Sequence, residues 1–360
     1  LCLGVILTMD NFSQVAGIGL VTLCLAWYVF WVRKHALVTG ELGPLLERER
    51  PMERLIEAVE PGGNNDKHEI LIPLWHKREP VPLLELASAL AANDKGIAIN
   101  ILDVNIVPPQ ISLDFAQGAL TNQKTPKRDA LLEAISKLTE KGITVRMLQR
   151  AVRAMDTGVI AYVEAHPDVS LILTSWTGPL SSRRIYDSPT KNIMVNASCD
   201  VAILLSRSFS QVNRILIPIG GGPHARLGLR LASQIAQGEA AKLTALRVVK
   251  PGDDLDMEVE AEGLKRVVAD VLGEDASKVS SKIIASDNVI KAILSAAKGG
   301  TYDLLVIGAS EEWQIKSLLA GSLADAVADQ APCSVLLVRR YEPVGISSAR
   351  RILSSLRGWR

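Results

Sequence analysis

The sequence predicts an α/β fold: two doubly wound, five-stranded parallel-sheet units in tandem, preceded by one transmembrane helix. Three observations carry this expectation. Short apolar runs such as Leu304 to Ile307 alternate with Ala- and Leu-rich segments at helical spacing, as strands buried between covering helices do. The pattern occurs twice, with Ile70-Leu71-Ile72-Pro73 recurring as Ile215-Leu216-Ile217-Pro218. Finally, no charged residue lies between Asp10 and Arg33, and that stretch is long enough to cross a bilayer as a helix.

The N-terminal stretch, residues 1–35, is read as a transmembrane segment. Trp27, Tyr28 and Trp31 cluster near its end, where an aromatic belt would lie, and Arg33-Lys34-His35 follow. Basic residues at that end predict that everything after Arg33 is cytoplasmic and that the protein resides in the cell membrane. The alternative reading is a buried core helix. Because LCLGVILTM is apolar from Leu1, the chain is expected to be the C-terminal part of a longer polytopic protein. Residues 36–66 are read as a cytoplasmic linker. Within them Glu41 to Glu60 is a charged amphipathic segment, expected to be a solvated connecting helix broken at Pro44 and Pro51, and Pro61 to Asp66 is a turn-rich boundary.

The first unit spans residues 67–207 and the second 211–340. Strand Ile70 to Pro73 is followed by helix-forming LLELASALAA and strand Ile97 to Val104, as Ile215 to Pro218 is by LGLRLASQIAQ and Lys242 to Val249. Helical patterns at Leu131 to Leu138 and Leu264 to Val271 lead to strands at Thr144 to Leu148 and Lys282 to Ile284. Helices around Val159 to Ala165 and Val289 to Ala297 lead to strands Leu171 to Thr174 and Leu304 to Ile307. Val201 to Leu205 and Val335 to Val338 close the units, placing Cys199 against Cys333. Each unit thus reads β-α-β-α-β-α-β-α-β, a parallel sheet with right-handed crossovers. Ligands of such sheets bind beyond the carboxyl ends of the strands, where the strand order switches.

These residues resemble the universal stress protein family, present twice in tandem from about His68 to Arg340. The resemblance implies an adenine nucleotide alpha hydrolase-like fold. Nucleotide-binding members carry Gly-x-x-Gly and then Gly-Ser or Gly-Thr after the fourth strand. Gly308 and Gly321-Ser322 stand at that spacing in the second unit, with Glu311 in place of the second glycine. In the first unit the frame is Ser175, Gly178 and Ser188-Pro189. The family's Asp after the first strand is Gly220 in unit two and Trp75 in unit one, and its base-contacting valine corresponds to Val248 or Val104. The resemblance also implies that the last strands pair, giving an internal pseudo-dimer of the two units and leaving a homodimer open.

The candidate site is a phosphate cradle built from Gly220, Gly221, Gly222, Gly308, Gly321 and Ser322, with Val248 at the base; its ligand would be ATP or another adenine nucleotide. The competing reading is that these glycines only make tight turns. Glu311 and Glu312 lie where a triphosphate would pass, and like charges a few ångströms apart cost about 1–4 kcal/mol. In the first unit Trp75 would crowd the pocket and Pro189 lacks an N–H.

Composition excludes several functions. With 40 Lys and Arg against 39 Asp and Glu, the net charge of +1 gives no field to attract nucleic acid. The 4 cysteines form neither a disulfide framework nor a metal set and are expected to be buried thiols in a reducing compartment. The 5 histidines show no metal spacing, and there is no Gly-x-Ser-x-Gly elbow or Walker-type lysine, so no enzyme activity and no metal are expected. His224, after the Gly222-Pro223 turn, is expected to be exposed. The tail, 341–360, places Ile352, Leu353, Leu356 and Trp359 on one stripe with Arg350, Arg351, Arg357 and Arg360, which reads either as a membrane-surface helix or as a frayed solvated end.

The functional expectation is the regulatory, non-catalytic cytoplasmic region of an amino acid permease-like transporter, suggested by a short likeness of WYVFWVRKHALVTGELGPLL to the ends of such carriers. Its partners would be its own membrane domain and the lipid bilayer. The alternatives are a membrane-anchored ATP-binding universal stress protein and the regulatory tail of a cation/proton antiporter.

Overall fold

The computed structural model describes residues 22–23, 26–27, 54–59, 68–74, 80–94, 96–120, 126–176, 189–207, 211–252, 256–298, 301–309, 327 and 330–342, with the backbone alone for 54–59 and 126–130. The chain divides into two compact units, Leu1–Met52 and Glu53–Arg360. In the first, Thr22, Leu23, Ala26 and Trp27 are helical and exposed. The rest of the expected transmembrane segment lies outside the described residues, as does the C-terminal stripe from Ile352 to Trp359. Among the described residues no helix is long and apolar enough to cross a membrane.

The second unit is built on one sheet. Its chain order is β1 (Arg54–Val59), β2 (His68–Leu74), α1 (Val81–Ala91), β3 (Ile97–Ile106), α2 (Leu113–Ala119), α3 (Pro126–Glu140), β4 (Thr144–Val152), α4 (Met155–Ala165), β5 (Val169–Ser175), α5 (Pro189–Asn196) and β6 (Asp200–Leu205). It continues with β7 (Arg214–Pro218), α6 (Pro223–Gly238), β8 (Lys242–Val249), α7 (Met257–Leu272), a 3-10 turn at Gly273–Lys278, β9 (Val279–Ala285), α8 (Val289–Ala297), β10 (Leu304–Gly308) and β11 (Ser334–Arg339). Across the sheet the order is β1-β4-β3-β2-β5-β6-β11-β10-β7-β8-β9. Each half therefore runs third, second, first, fourth, fifth, with its switch in order between β2 and β5 or between β7 and β10. Pairing within each half is parallel, as far as the five strands of the repeat are concerned.

Sequence explains the local choices. The strand centres are apolar on both faces, so both faces must be covered. Leu83, Leu131, Leu227 and Leu264 from α1, α3, α6 and α7 cover one face. Val159, Ile193 and Ile293 from α4, α5 and α8 cover the other. Helix starts are marked by capping side chains. Asp256 accepts from the N–H groups of Glu258 and Val259 at 2.9 and 3.2 Å, and Asn288 accepts from Lys291 N–H at 2.9 Å.

The halves join where β6 and β11 pair antiparallel, from Val201↔Arg339 to Leu205↔Val335. The two ends of that ladder are closed by the same device. Asp200 Oδ1 accepts from Tyr341 N–H at 2.7 Å, and Ser334 Oγ accepts from Arg207 N–H at 3.0 Å. Asp200 and Ser334 are matching first residues of the two strands. Beyond the ladder, α1 and α6 pack together. There Gly238 lies directly on the backbone of Ala89.

One expectation is corrected. The segment read as a connecting helix through Glu60 contains β1, which runs antiparallel to β4 from Arg54↔Gln149 to Val59↔Val145 with an irregularity between Leu55 and Glu57. The outer edge of β4 offers a row of unpaired backbone groups, and that demand outweighs the helix propensity of a short charged segment. Where β1 stops, the buried amide of Gln117 takes over. It donates to Gln149 O at 3.0 Å and accepts from Ala151 N–H at 2.7 Å, standing in for one more residue of strand. α2 is not among the elements that the sequence pattern predicts.

Candidate functional site

The candidate site lies beyond the carboxyl ends of β7 and β10, at the switch in strand order of the second half. After β7 the chain is held down by Ile219, whose N–H donates to Leu246 O at 2.8 Å. Gly220-Gly221-Gly222 then form a loop. A Cβ added at any of the three would meet nothing among the described residues within 4 Å. Gly221 sits at φ +87°, a conformation that favours glycine, so the loop's shape depends on this residue.

Gly222 is the N-cap of α6, and among the described residues no side chain caps the helix; Pro223 occupies its first turn. An amide is missing only at the proline, so the N–H groups of His224 and Ala225 are first-turn donors at the positive end of a 16-residue helix. Such an end favours an anion.

Gly308 meets the same helix turn from β10. A Cβ built on it would fall 2.6 Å from Ala225 N and 2.8 Å from His224 C. The glycine lets the strand and the first turn of α6 lie against each other. The structure thus brings Gly220, Gly221, Gly222 and Gly308 to one place. Val248 is on β8, paired with Ile284, half-buried and packed with the cluster on the face away from α6. Gly321, Ser322, Glu311 and Glu312 lie outside the described residues.

The same place in the first half is built differently. Ser175 stands where the second half has Gly308, and Trp176 where it has Ala309. The N–H groups of Trp176 and Ala309 make matching bonds, to Leu204 O at 2.9 Å and to Val338 O at 2.8 Å. The Trp176 side chain is buried in the core, at 3 % exposure. Pro80 caps α1, with a further proline in its first turn, and Pro189 opens α5. Trp75, Gly178 and Ser188 lie outside the described residues. Replacing Gly308 by Ala is expected to push β10 and α6 apart and to cost about 1–3 kcal/mol. Ser175→Gly in the first half should be tolerated within about 1 kcal/mol. Chemical denaturation of both variants checks the contrast.

His224 departs from expectation. It is buried at 7 % exposure, and its Nδ1 accepts from Arg340 N–H at 3.0 Å. The reason is position: on the second residue of α6 the side chain points back over the strand ends, onto the chain leaving β11. The available signal was a histidine following a triple glycine and a proline, in a chain whose last strand ends Arg339-Arg340.

Nearby charges are structural. Cys199 is buried, and burial together with the neighbouring Asp200 pushes its thiol up to about 12. Burial also raises Cys333. Neither thiol is a ready nucleophile. Among the described residues no group of three or more His, Cys, Asp or Glu is placed to hold a metal ion.

Comparison with known proteins follows this geometry. Residues 211–339 match the model of the Universal stress protein family. The "Universal stress protein in QAH/OAS sulfhydrylase 3′region" of Thermus aquaticus is 33% identical over 138 residues, which is 35% of this chain and 97% of that protein. The crystal structure of a universal stress protein from Archaeoglobus fulgidus superimposes with a TM-score of 0.50 at 18% identity, covering 77% of this chain and 99% of that one. A functionally unknown protein from Pseudomonas aeruginosa does so with a TM-score of 0.51 at 17% identity, covering 80% and 97%. The two structures share the fold over a span that exceeds residues 211–339 and so reaches into the first half. Together with the sequence match, these findings place this chain in the universal stress protein family.

Proposed function

We propose that the chain is the cytoplasmic sensor region of an amino acid permease-like membrane transporter, and that its second half binds an adenine nucleotide without turning it over. The observation that carries the binding part is the Gly220-Gly221-Gly222 loop leading into α6, which among the described residues meets no neighbour at its glycine Cβ positions and has no side-chain cap. The first turn of α6 lies beside that loop at the positive end of a helix, where a phosphate is favoured. The first half, with Trp176 buried and prolines at its helix starts, is a structural partner.

A sensing role, in place of catalysis, is supported by how the reactive side chains are used. His224 serves as a backbone acceptor, His166 stacks on Tyr162 with ring centroids 4.0 Å apart, and the Cys199 thiol is held protonated. Attachment to a membrane is supported by the uncharged stretch between Asp10 and Arg33, in which Leu23 and Trp27 are exposed helical residues.

Titrating the full chain in detergent micelles with ATP tests the binding. Saturable binding is expected below millimolar ATP. Gly221→Val should weaken it about tenfold, because a β-branched residue resists the positive φ and strains the loop. No binding at millimolar ATP would remove the nucleotide from this reading, and hydrolysis at a steady rate would remove its non-catalytic part.

A further inference from the structure

His224 joins two features that have so far been treated separately. Its own N–H belongs to the first turn of α6, beside the glycine loop. Its Nδ1 holds Arg340 N–H at 3.0 Å. Arg340 is flanked by the two residues with which β11 grips the first half. On one side, Arg339 Nη1 donates to Ala197 O at 2.8 Å and to Cys199 O at 3.4 Å, and its Nη2 donates to Val195 O at 3.3 Å. On the other, Tyr341 N–H donates to Asp200 Oδ1 at 2.7 Å. Gly308 lies against the backbone of His224 and Ala225, so the first turn of α6 packs directly on the end of β10.

We propose that His224 is the coupling residue through which an anion bound before α6 is read by the first half. The proposal rests on the nucleotide reading and adds the route. An anion that draws in the first-turn N–H groups of α6 pulls the helix end toward the glycine loop. His224 moves with that turn, and Arg340 moves with His224. Arg339 and Tyr341 then change their grip on the turn between α5 and β6, residues 195–200. His224 acts through Arg340 and is a positioning residue. With Nδ1 accepting, the neutral imidazole carries its proton on Nε2.

Coupling of this kind is reciprocal: whatever the anion does to the seam, the seam does to anion affinity. A change made wholly in the first half must therefore alter binding in the second. Asp200 is such a position, on β6 and outside the crevice.

The test uses the full chain in detergent micelles with ATP as the probe. Amide exchange at Arg340 and Tyr341 should slow on saturation with ATP. In His224→Phe, which keeps an aromatic ring and loses the acceptor, that change should vanish, and ATP should bind at least about fivefold more weakly. His224→Asn, whose Oδ1 can occupy the place of Nδ1, should restore both. Asp200→Ala should weaken ATP binding several-fold, and Asp200→Asn, which keeps an acceptor for Tyr341 N–H, should not. ATP binding with wild-type affinity in both His224→Phe and Asp200→Ala overturns the coupling and leaves the nucleotide reading intact. So does ATP binding with no change in exchange at Arg340 and Tyr341. Failure of the wild-type chain to bind ATP overturns both.

Discussion

Gly238→Ala should destabilise the protein by about 2–3 kcal/mol, against the usual direction for this substitution in a helix. In an open helix position Ala is favoured over Gly by about 1 kcal/mol. Gly238 is the last residue of α6, and a Cβ there would lie 2.3 Å from Ala89 O, 2.8 Å from Ala89 Cα and 2.9 Å from Ala89 C. All three atoms are backbone of α1, so no side chain can swing aside. Relief requires the two helices to separate, and with them the halves of the sheet they cover. Overpacking of that kind costs about 1–3 kcal/mol before the apolar contacts around Ile235 and Leu90 are counted. Gly263 on α7 is the control, since a Cβ there meets nothing among the described residues within 4 Å. Gly263→Ala should stabilise by up to about 1 kcal/mol. Thermal unfolding of the two variants should therefore move in opposite directions from the parent. A parallel shift would mean that the contact between α1 and α6 does not limit stability.

Most of the layered core was readable in the sequence because buried parallel strands leave a strong, local signature. Lys242 to Val249 and Val289 to Ala297 are observed with the bounds that periodicity gave, and other elements differ by extensions of a few residues. The extensions have a common cause. Polar residues such as Gln149 and Arg150 continue β4 past the apolar run that identifies it, because neighbouring strands supply hydrogen bonds irrespective of side chain. What the sequence hid was set by partners distant in the chain. The charged segment at Arg54 to Val59 became a strand only because β4 had a free edge. Gln117 is buried only because that strand stops one residue short of it. His224 is buried because β11 ends above α6, a fact of topology that no window around a histidine contains.

The candidate site divides in the same way. The glycines after β7 were legible as a turn and as open backbone, since a triple glycine has few other uses. The role of Gly308 was not, because its meaning depends on the distance to Ala225 on another element. The difference between the halves also became physical only in the structure. Ser175 and the buried Trp176 stand where the second half has Gly308 and Ala309. A duplicated unit can change the residues at its strand ends in one copy and keep the fold, because strand packing draws on different residues.

Arg339→Met should cost about 2–4 kcal/mol, although it removes a charge from the interior. The side chain is buried at 7 % exposure, and burial presses its guanidinium below the ordinary arginine value. That desolvation is relieved in the methionine variant, which keeps most of the volume. Three carbonyls, of Val195, Ala197 and Cys199, are left without these donors, and a buried unsatisfied acceptor costs about 1–3 kcal/mol. The carbonyls outweigh the charge because there are three of them on one turn, too close together for a single rearrangement to serve all. Asp200 gives the loss a pH signature. Burial raises its carboxyl above the ordinary 3.8, against the pull of the Tyr341 N–H and of Arg340, Arg230 and Arg339. A raised carboxyl favours the folded state fully below the unfolded value, and that contribution is lost as pH rises from 3.8 through the folded value. Removing Arg339 takes away one of the opposing cations, so the loss should extend to higher pH in Arg339→Met than in the parent. Asp200→Asn should flatten the slope in both backgrounds while its Oδ1 still accepts from Tyr341 N–H. Stability measured by denaturant between pH 4 and about 7 decides the matter. An Arg339→Met variant as stable as the parent throughout would show that β6 and β11 hold the halves together without the guanidinium.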